Sequence, residues 1–174
     1  MNTKKEDAAW FAVHTYPRAE KKVSQLLKAQ GYEVYLPLQR QLRQWSDRKK
    51  WVDMPFIPSY LFVFTGVSQL YAIARAHGVV RVIYFDGKPV PIPDEQINWL
   101  KKMLMHEIPV ELTQEKLEPG TKVVVTGGHL IGMKGELISY KSDRKVVVRL
   151  EKLDYSLVVT IPLDLLQDAA ESVG

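Results

Sequence analysis

The chain contains no cysteine, so it has no disulfide framework, no thiolate zinc site and no thiol nucleophile. A reducing cytoplasm is therefore the default compartment. It also lacks any apolar run near the roughly 18 residues that span a bilayer, which argues against membrane insertion. The opening string MNTKKEDAAW has no long apolar core, and no secretory signal is expected. Histidines are few. His14, His77, His106 and His129 lie in separate predicted elements without an H-x-x-x-H partner, so no metal site is expected. Nothing resembles G-x-S-x-G, a Walker loop or a dinucleotide fingerprint. Gly127-Gly128 falls between predicted strands and lacks the helix N-terminus that a phosphate cradle needs. These absences point away from an enzyme and from any cofactor.

What is present is an uneven charge distribution. Net charge is only +4, but residues 1–106 carry 16 Lys/Arg against 9 Asp/Glu, while residues 107–174 carry 8 against 11. The length of 174 residues suits two small domains, the first matched to a polyanion and the second to a protein. Residues 40–50 hold Arg40, Arg43, Arg48, Lys49 and Lys50 against one acid, Asp47. Trp45 and Trp51 bracket the cations there. Such rings can stack on unpaired bases while the cations meet phosphates. The bland alternative is a solvated hairpin.

Periodicity predicts the first domain. WFAVHTY, residues 10–16, reads as a buried strand. Pro17 suits the first turn of a helix in which Val23, Leu26 and Leu27 face inward and Gly31 closes the end. Its outer face carries Arg18, Lys22 and Gln25, with Lys21 and Lys28 alongside. YEVYLPL, residues 32–38, reads as a strand leading into a hairpin that turns near Ser46-Asp47 and returns to the apolar strand ending at Phe64. Ser68 is placed to cap a short helix through Leu70, Ile73, Ala74 and His77. Asp86-Gly87 signals a tight hairpin, and Pro93-Asp94-Glu95 opens a last helix with Ile97, Leu100 and Leu104 inward. This order gives an α+β fold with a mostly antiparallel sheet. Most of the aromatics Phe56, Tyr60, Phe62, Phe64 and Phe85 belong to its core. Tyr60 and Phe62, at i and i+2, share one strand face and are expected to line an open patch for a partner helix.

Residues 106–118, HEIPVELTQEKLE, are acidic and without clear period, and read as a linker. Beyond it TKVVVT, GELISY, KVVVRL and SLVVTI are four short strands, which suit a small barrel. Between the first two, Gly127, Gly128, Gly132 and Gly135 surround the tip His129-Leu130-Ile131, with Met133 just beyond. An apolar tip of this kind suggests a protein contact.

Four strings in order resemble a known family. Residues 122–137 resemble the KOW motif, with its glycine best matched to Gly132 or Gly135. WFAVHTYPRAEKKV, PFIPSYLFVF and GVVRVIYFDGKPVPIPDEQI resemble the signature stretches of the NusG N-terminal domain. The pattern YLPLQ…QWSDRKKWV…PFIPSYLFV is most similar to specialised paralogues of the UpxY type, antiterminators of capsular polysaccharide operons. The resemblance implies a NusG N-terminal (NGN) domain over residues 8–106, a linker over 107–118 and a KOW β-barrel over 119–174. It implies a monomeric elongation factor that suppresses pausing or termination by docking on the clamp helices of RNA polymerase. The docking pocket maps onto His14, Ile57, Pro58, Tyr60, Phe62 and Phe85, with Arg18, Lys22 and Arg75 near the non-template DNA strand or nascent RNA. The KOW domain would meet Rho or a ribosomal protein. Two departures stand out. Ile57 occupies a position that is often aromatic in housekeeping members, and Gln69-Leu70-Tyr71-Ala72 replaces the polar HTTT contact of the RfaH branch. The strongly β-prone second domain is expected to stay a barrel, free on its linker, and not to refold as helices. The alternative is an RNA- or ribosome-binding KOW protein without polymerase docking.

Overall fold

A computed structural model describes residues 7–171, and the chain divides into two compact units between Ile97 and Asn98. Among the described residues no helix is long and apolar enough to cross a membrane.

The first unit begins with β1 (Ala9–Thr15), α1 (Glu20–Ala29) and β2 (Glu33–Tyr35). A two-stranded ribbon follows, β3 (Leu38–Gln44) and β4 (Lys49–Pro55), then β5 (Tyr60–Thr65), α2 (Leu70–Ala74) and β6 (Val79–Val82). A short hairpin, β7 (Tyr84–Phe85) and β8 (Lys88–Pro89), leads to β9 (Pro91–Ile92) and α3 (Asp94–Met105), a helix that runs across the division between the units. The main sheet has the order β2-β5-β1-β6, with β9 also pairing β1, and its pairings are antiparallel. Alternation on the two central strands sets its faces. Phe11, Val13, Leu61 and Val63 point to one side and bury against Val23 and Leu27 of α1 and Leu70 and Ile73 of α2. Leu27 and Ile73 are fully buried, each contributing about 1.5–3 kcal/mol of apolar transfer. The other face carries Trp10, Ala12 and His14 beside Phe64, Phe62 and Tyr60.

Local chemistry accounts for most boundaries, with three differences from the sequence expectations. The predicted Asp86-Gly87 turn forms, both residues taking positive φ (50° and 72°) as a two-residue hairpin of the primed type requires. Helix α1 starts later than Pro17, because Arg18 takes φ 64° and Ala19 N–H bonds the carbonyl of Tyr16, closing a turn outside the helix. Ser68 does not cap α2. It lies inside a 3₁₀ turn, Val67–Gln69, that follows Gly66, and the helix stops at Ala74, leaving His77 outside. The third difference lies at residues 107–118, expected to be linker. They contain β10 (Val110–Thr113), whose alternating apolar residues pair with the chain's penultimate strand.

The second unit is an antiparallel sheet of β10, β11 (Thr121–Val125), β12 (Lys134–Tyr140), β13 (Asp143–Leu150), β14 (Tyr155–Val159) and β15 (Leu166–Asp168). Its order is β10-β14-β13-β12-β11-β15. Val123, Val125, Val146, Leu157 and Val159 are among its buried residues. Gly135 lies on β12 close against β13. A Cβ there would stand 2.6 Å from Val146 Cγ1 and 2.8 Å from the Val147 carbonyl, so this position tolerates no side chain. Arg149 ties the segment before β11 to the sheet. It bonds Glu136 Oε2 at 2.6 Å and the carbonyls of Leu117 and Glu118, while Glu136 Oε1 accepts from Gly120 N–H. Chiefly through the Arg149 bond, this network holds the Glu136 carboxyl below its ordinary value.

Candidate functional site

The aromatic face of the first sheet is shaped by the turn before β5. Tyr60 N–H bonds the Ile57 carbonyl, and Ser59 takes φ 64°. Ser59 is clamped from both sides. Its carbonyl accepts from Thr15 N–H at 2.8 Å, and its N–H donates to Glu20 Oε1 at 2.9 Å. Glu20 is itself buried, which makes this a charge-assisted bond in a sheltered place. The outcome is an exposed Pro58 beside a half-buried Tyr60.

Tyr60 stacks on His14, its direct partner in the β1–β5 register, with ring centroids 5.0 Å apart and planes 19° from parallel. His14 Nδ1 is buried and has no hydrogen-bond partner. Burial, followed by the charge of Arg81 opposite it on β6, lowers the pKa of this imidazole. The ring is thus held neutral, an apolar plate with one unused polar atom. Phe85 stands 66% exposed on the β7–β8 hairpin, which leaves the sheet where Ile83 N–H bonds the Ala12 carbonyl, one same-face step from His14.

Of the six expected pocket residues, His14, Pro58, Tyr60 and Phe85 are therefore at least partly accessible. Ile57 and Phe62 are not. Ile57 is fully buried under the turn, and Phe62 is 1% exposed with Tyr35 stacked on it at 6.3 Å. The expectation that Tyr60 and Phe62 line an open pocket together is corrected for Phe62. The i, i+2 spacing gave the face, but Phe62 lies mid-strand between Ala12 and Tyr35, whereas Tyr60 lies at the strand end. Tyr35 gains from the same shelter, its phenol pushed upward by burial and kept protonated. Tyr84, 50% exposed beside Phe85, and the clamping Glu20 are functional candidates that residue type alone did not single out.

The cationic residues fall in three places. Arg40, Arg43, Arg48, Lys49 and Lys50 lie on or at the turn of the β3–β4 ribbon, whose residues 40–51 are exposed throughout. The turn is closed by Trp45 N–H to the Arg48 carbonyl at 2.7 Å, as expected near Ser46-Asp47. Among the described residues none of these five cations forms an ion pair. Arg18, Lys21 and Lys22 are exposed around the start of α1. Arg75 follows α2 and is already engaged, donating to Tyr71 Oη at 2.9 Å with its guanidinium over that ring.

In the second unit the glycine loop is only partly a surface. Gly132 N–H bonds the Val125 carbonyl and Met133 N–H bonds the Leu130 carbonyl, folding the loop back over β11. That buries Leu130 (3% exposed) and Met133 (0%), which are corrected from contact residues to core. Ile131 remains 59% exposed. His129 is exposed but stacked on His106, with centroids 3.7 Å apart. Among the described residues no cluster of three His, Asp or Glu is arranged to hold a metal ion.

Comparison with known proteins places this architecture. Residues 8–101 match the family model described as "Transcription termination factor nusG". The transcription termination/antitermination protein NusG of Staphylococcus carnosus (strain TM300) is 25% identical over 171 residues, covering 89% of this chain and 92% of its own. That of Staphylococcus aureus (strain Mu50 / ATCC 700699) is 24% identical with the same coverage. The solved structure described as "Domain interaction in Thermotoga maritima NusG" shares the fold, with a TM-score of 0.55 at 17% identity over 94% of this chain and 98% of that one. With a family model matched across more than half its length, the chain belongs to the NusG family of transcription termination and antitermination factors, which are not enzymes.

Proposed function

We propose that the first domain docks on RNA polymerase, at the clamp helices, through the end of its aromatic face. The contacts are His14, Pro58, Tyr60 and Phe85, with Ile57 and Phe62 behind them as support. The observation that carries this reading is the flat His14–Tyr60 stack, a neutral and half-buried pair beside the exposed Pro58. Such a plate offers apolar area with little charge to desolvate, which suits a helix laid across it. The cations of the β3–β4 ribbon, together with Arg18, Lys21, Lys22 and Arg75, face the non-template DNA strand or nascent RNA. Their number, and the absence of ion pairs at the five ribbon cations among the described residues, favour phosphate contacts with a strong salt dependence.

The role is a specialised one, antitermination at operons of the polysaccharide type, supported by the similarity of the ribbon and its flanks to UpxY-type paralogues. The second domain meets Rho or a ribosomal protein through Ile131 and the neighbouring loop. Retention of core polymerase by the tagged full chain tests the docking. Tyr60→Ala should weaken it at least tenfold, a loss within the range for an interface aromatic, with an unchanged circular dichroism spectrum. If the variant retains polymerase as well as the parent, or if the chain binds ribosomes and no polymerase, the docking reading fails.

A further inference from the structure

The β3–β4 ribbon has two unlike faces, and they divide the work of nucleic-acid binding. In an antiparallel pair, directly opposed residues project to the same side. The register therefore gathers Arg40, Leu42 and Gln44 with Asp53, Trp51 and Lys49 on one face, and Gln41 and Arg43 with Val52 and Lys50 on the other. On the strands themselves the first face carries the large apolar side chains in the open, while the equally exposed Trp45 (56%) belongs to the turn. Trp51 is 56% exposed and its cross-strand partner Leu42 is 49% exposed. The Arg40 guanidinium lies 5.5 Å from the Trp51 ring centroid, backing the ring with a cation.

We infer that the Trp51 face captures an unpaired base of a single nucleic-acid strand, while Arg43 and Lys50 on the opposite face supply sequence-neutral attraction to phosphate. Three observations favour this occupant over others. An apolar protein surface would have to desolvate Arg40 and Lys49 without compensation. A duplex hides its base faces, leaving Trp51 and Leu42 nothing to cover. An unpaired strand meets the exposed ring with a base and the adjacent cations with its backbone. The excess of four positive charges over residues 40–50 gives the complementarity. The assignment rests on the nucleic-acid half of the reading above and goes further, naming the ribbon face and the stacking residue.

The test uses the full chain with a fluorescein-labelled 12-nucleotide oligothymidylate and a mixed-sequence duplex of equal length. Trp51→Ala is expected to weaken single-strand binding about tenfold, the effect of one base–aromatic stack, and to leave duplex binding unchanged. Trp51→Phe should restore most of the affinity, because it keeps a ring. Arg43→Gln/Lys50→Gln should weaken both ligands and flatten the salt dependence. Unchanged single-strand affinity in Trp51→Ala, or equal losses on both ligands, overturns the stacking assignment. Absence of salt-dependent binding to either ligand by the parent chain overturns the nucleic-acid reading as well. Polymerase retention by Trp51→Ala, measured in parallel, separates either failure from failure of the docking face.

Discussion

The ribbon β3–β4 and the strand β5 that follows it are consecutive in the chain but meet opposite surroundings. Residues 40–51 are mostly polar, with both ribbon faces in solvent. In β5, Leu61, Phe62 and Val63 are all buried, with the helices on one side of the strand and an aromatic layer on the other. An isolated two-stranded ribbon gains little from its own pairing, so its outer residues are free to be chosen for a ligand. A strand in the middle of a sheet is not. Aromatic residues occur in both, and the difference lies in what removing one would cost. Trp51 is 56% exposed and Phe62 1%, so folding should depend on the second and not on the first.

That contrast is broken most directly by truncating both rings. Phe62→Ala should destabilise the first unit by about 3–5 kcal/mol, because it leaves a cavity between Ala12 and Tyr35 that the sheet cannot close. Trp51→Ala should change stability by no more than about 0.5 kcal/mol. Urea denaturation of the full chain, followed by far-ultraviolet circular dichroism, measures both. Equal effects would mean that the ribbon packs against more of the protein than its exposure indicates. Loss of polymerase binding in Phe62→Ala would then report unfolding, which is why Tyr60 is the informative docking substitution.

The junction between the two regions sharpens the comparison at smaller amplitude. Glu20 accepts from Ser59 N–H and so fixes the turn that separates the open ribbon from the closed strand. Replacing it with alanine leaves a sheltered N–H without its acceptor, at a cost of about 1–3 kcal/mol. Glu20→Gln, which retains a carbonyl oxygen, should lose less. If the turn positions Pro58 for docking, Glu20→Ala should also weaken polymerase retention while ribbon-mediated oligonucleotide binding stays constant. Parallel loss of both activities would show that the ribbon depends on the turn.

Much of this was legible from local pattern. β1, α1, the Ser46-Asp47 and Asp86-Gly87 turns and the strands of the second unit follow from periodicity and turn chemistry, which act over a few residues. What escaped depends on contacts distant in sequence. Phe62 and Tyr60 share a strand face, yet only the neighbouring strands decide that one is closed and the other open. Leu130 and Met133 sit in a glycine-rich loop and read as exposed, but backbone bonds to Val125 and within the loop turn them inward. In β10, Val110 and Leu112 alternate with Glu111 and Thr113, a period-two signal too short to stand against its acidic flanks until β14 pairs with it. Glu20 reads as an ordinary first-turn acid of a helix. Its partner lies 39 residues away.

The smallest expected effect concerns His14, at the end of β1 where the buried face becomes accessible. Its imidazole is neutral in the fold because burial, and then the Arg81 charge, lower its pKa from the ordinary value of about 6.5. Between that ordinary value and the lowered one, the unfolded chain binds a proton that the folded chain does not. Stability contributed by His14 is therefore complete above the unfolded value and is lost as pH falls from there through the folded value. The urea midpoint of the first unit should decline as pH is lowered through this window, and His14→Phe, which keeps a ring against Tyr60, should remove that part of the slope. Polymerase retention should weaken over the same window, since a charged ring would place a proton donor on buried Nδ1, which has no acceptor, opposite Arg81. Oligonucleotide binding by the ribbon should not depend on His14, so the His14→Phe substitution should leave its pH profile unaltered. A direct titration of the His14 ring by nuclear magnetic resonance decides the matter. A midpoint at the ordinary imidazole value would remove the pH window, and one above neutral pH would mean that the docking plate is charged there, so that the apolar account of its partner falls with it.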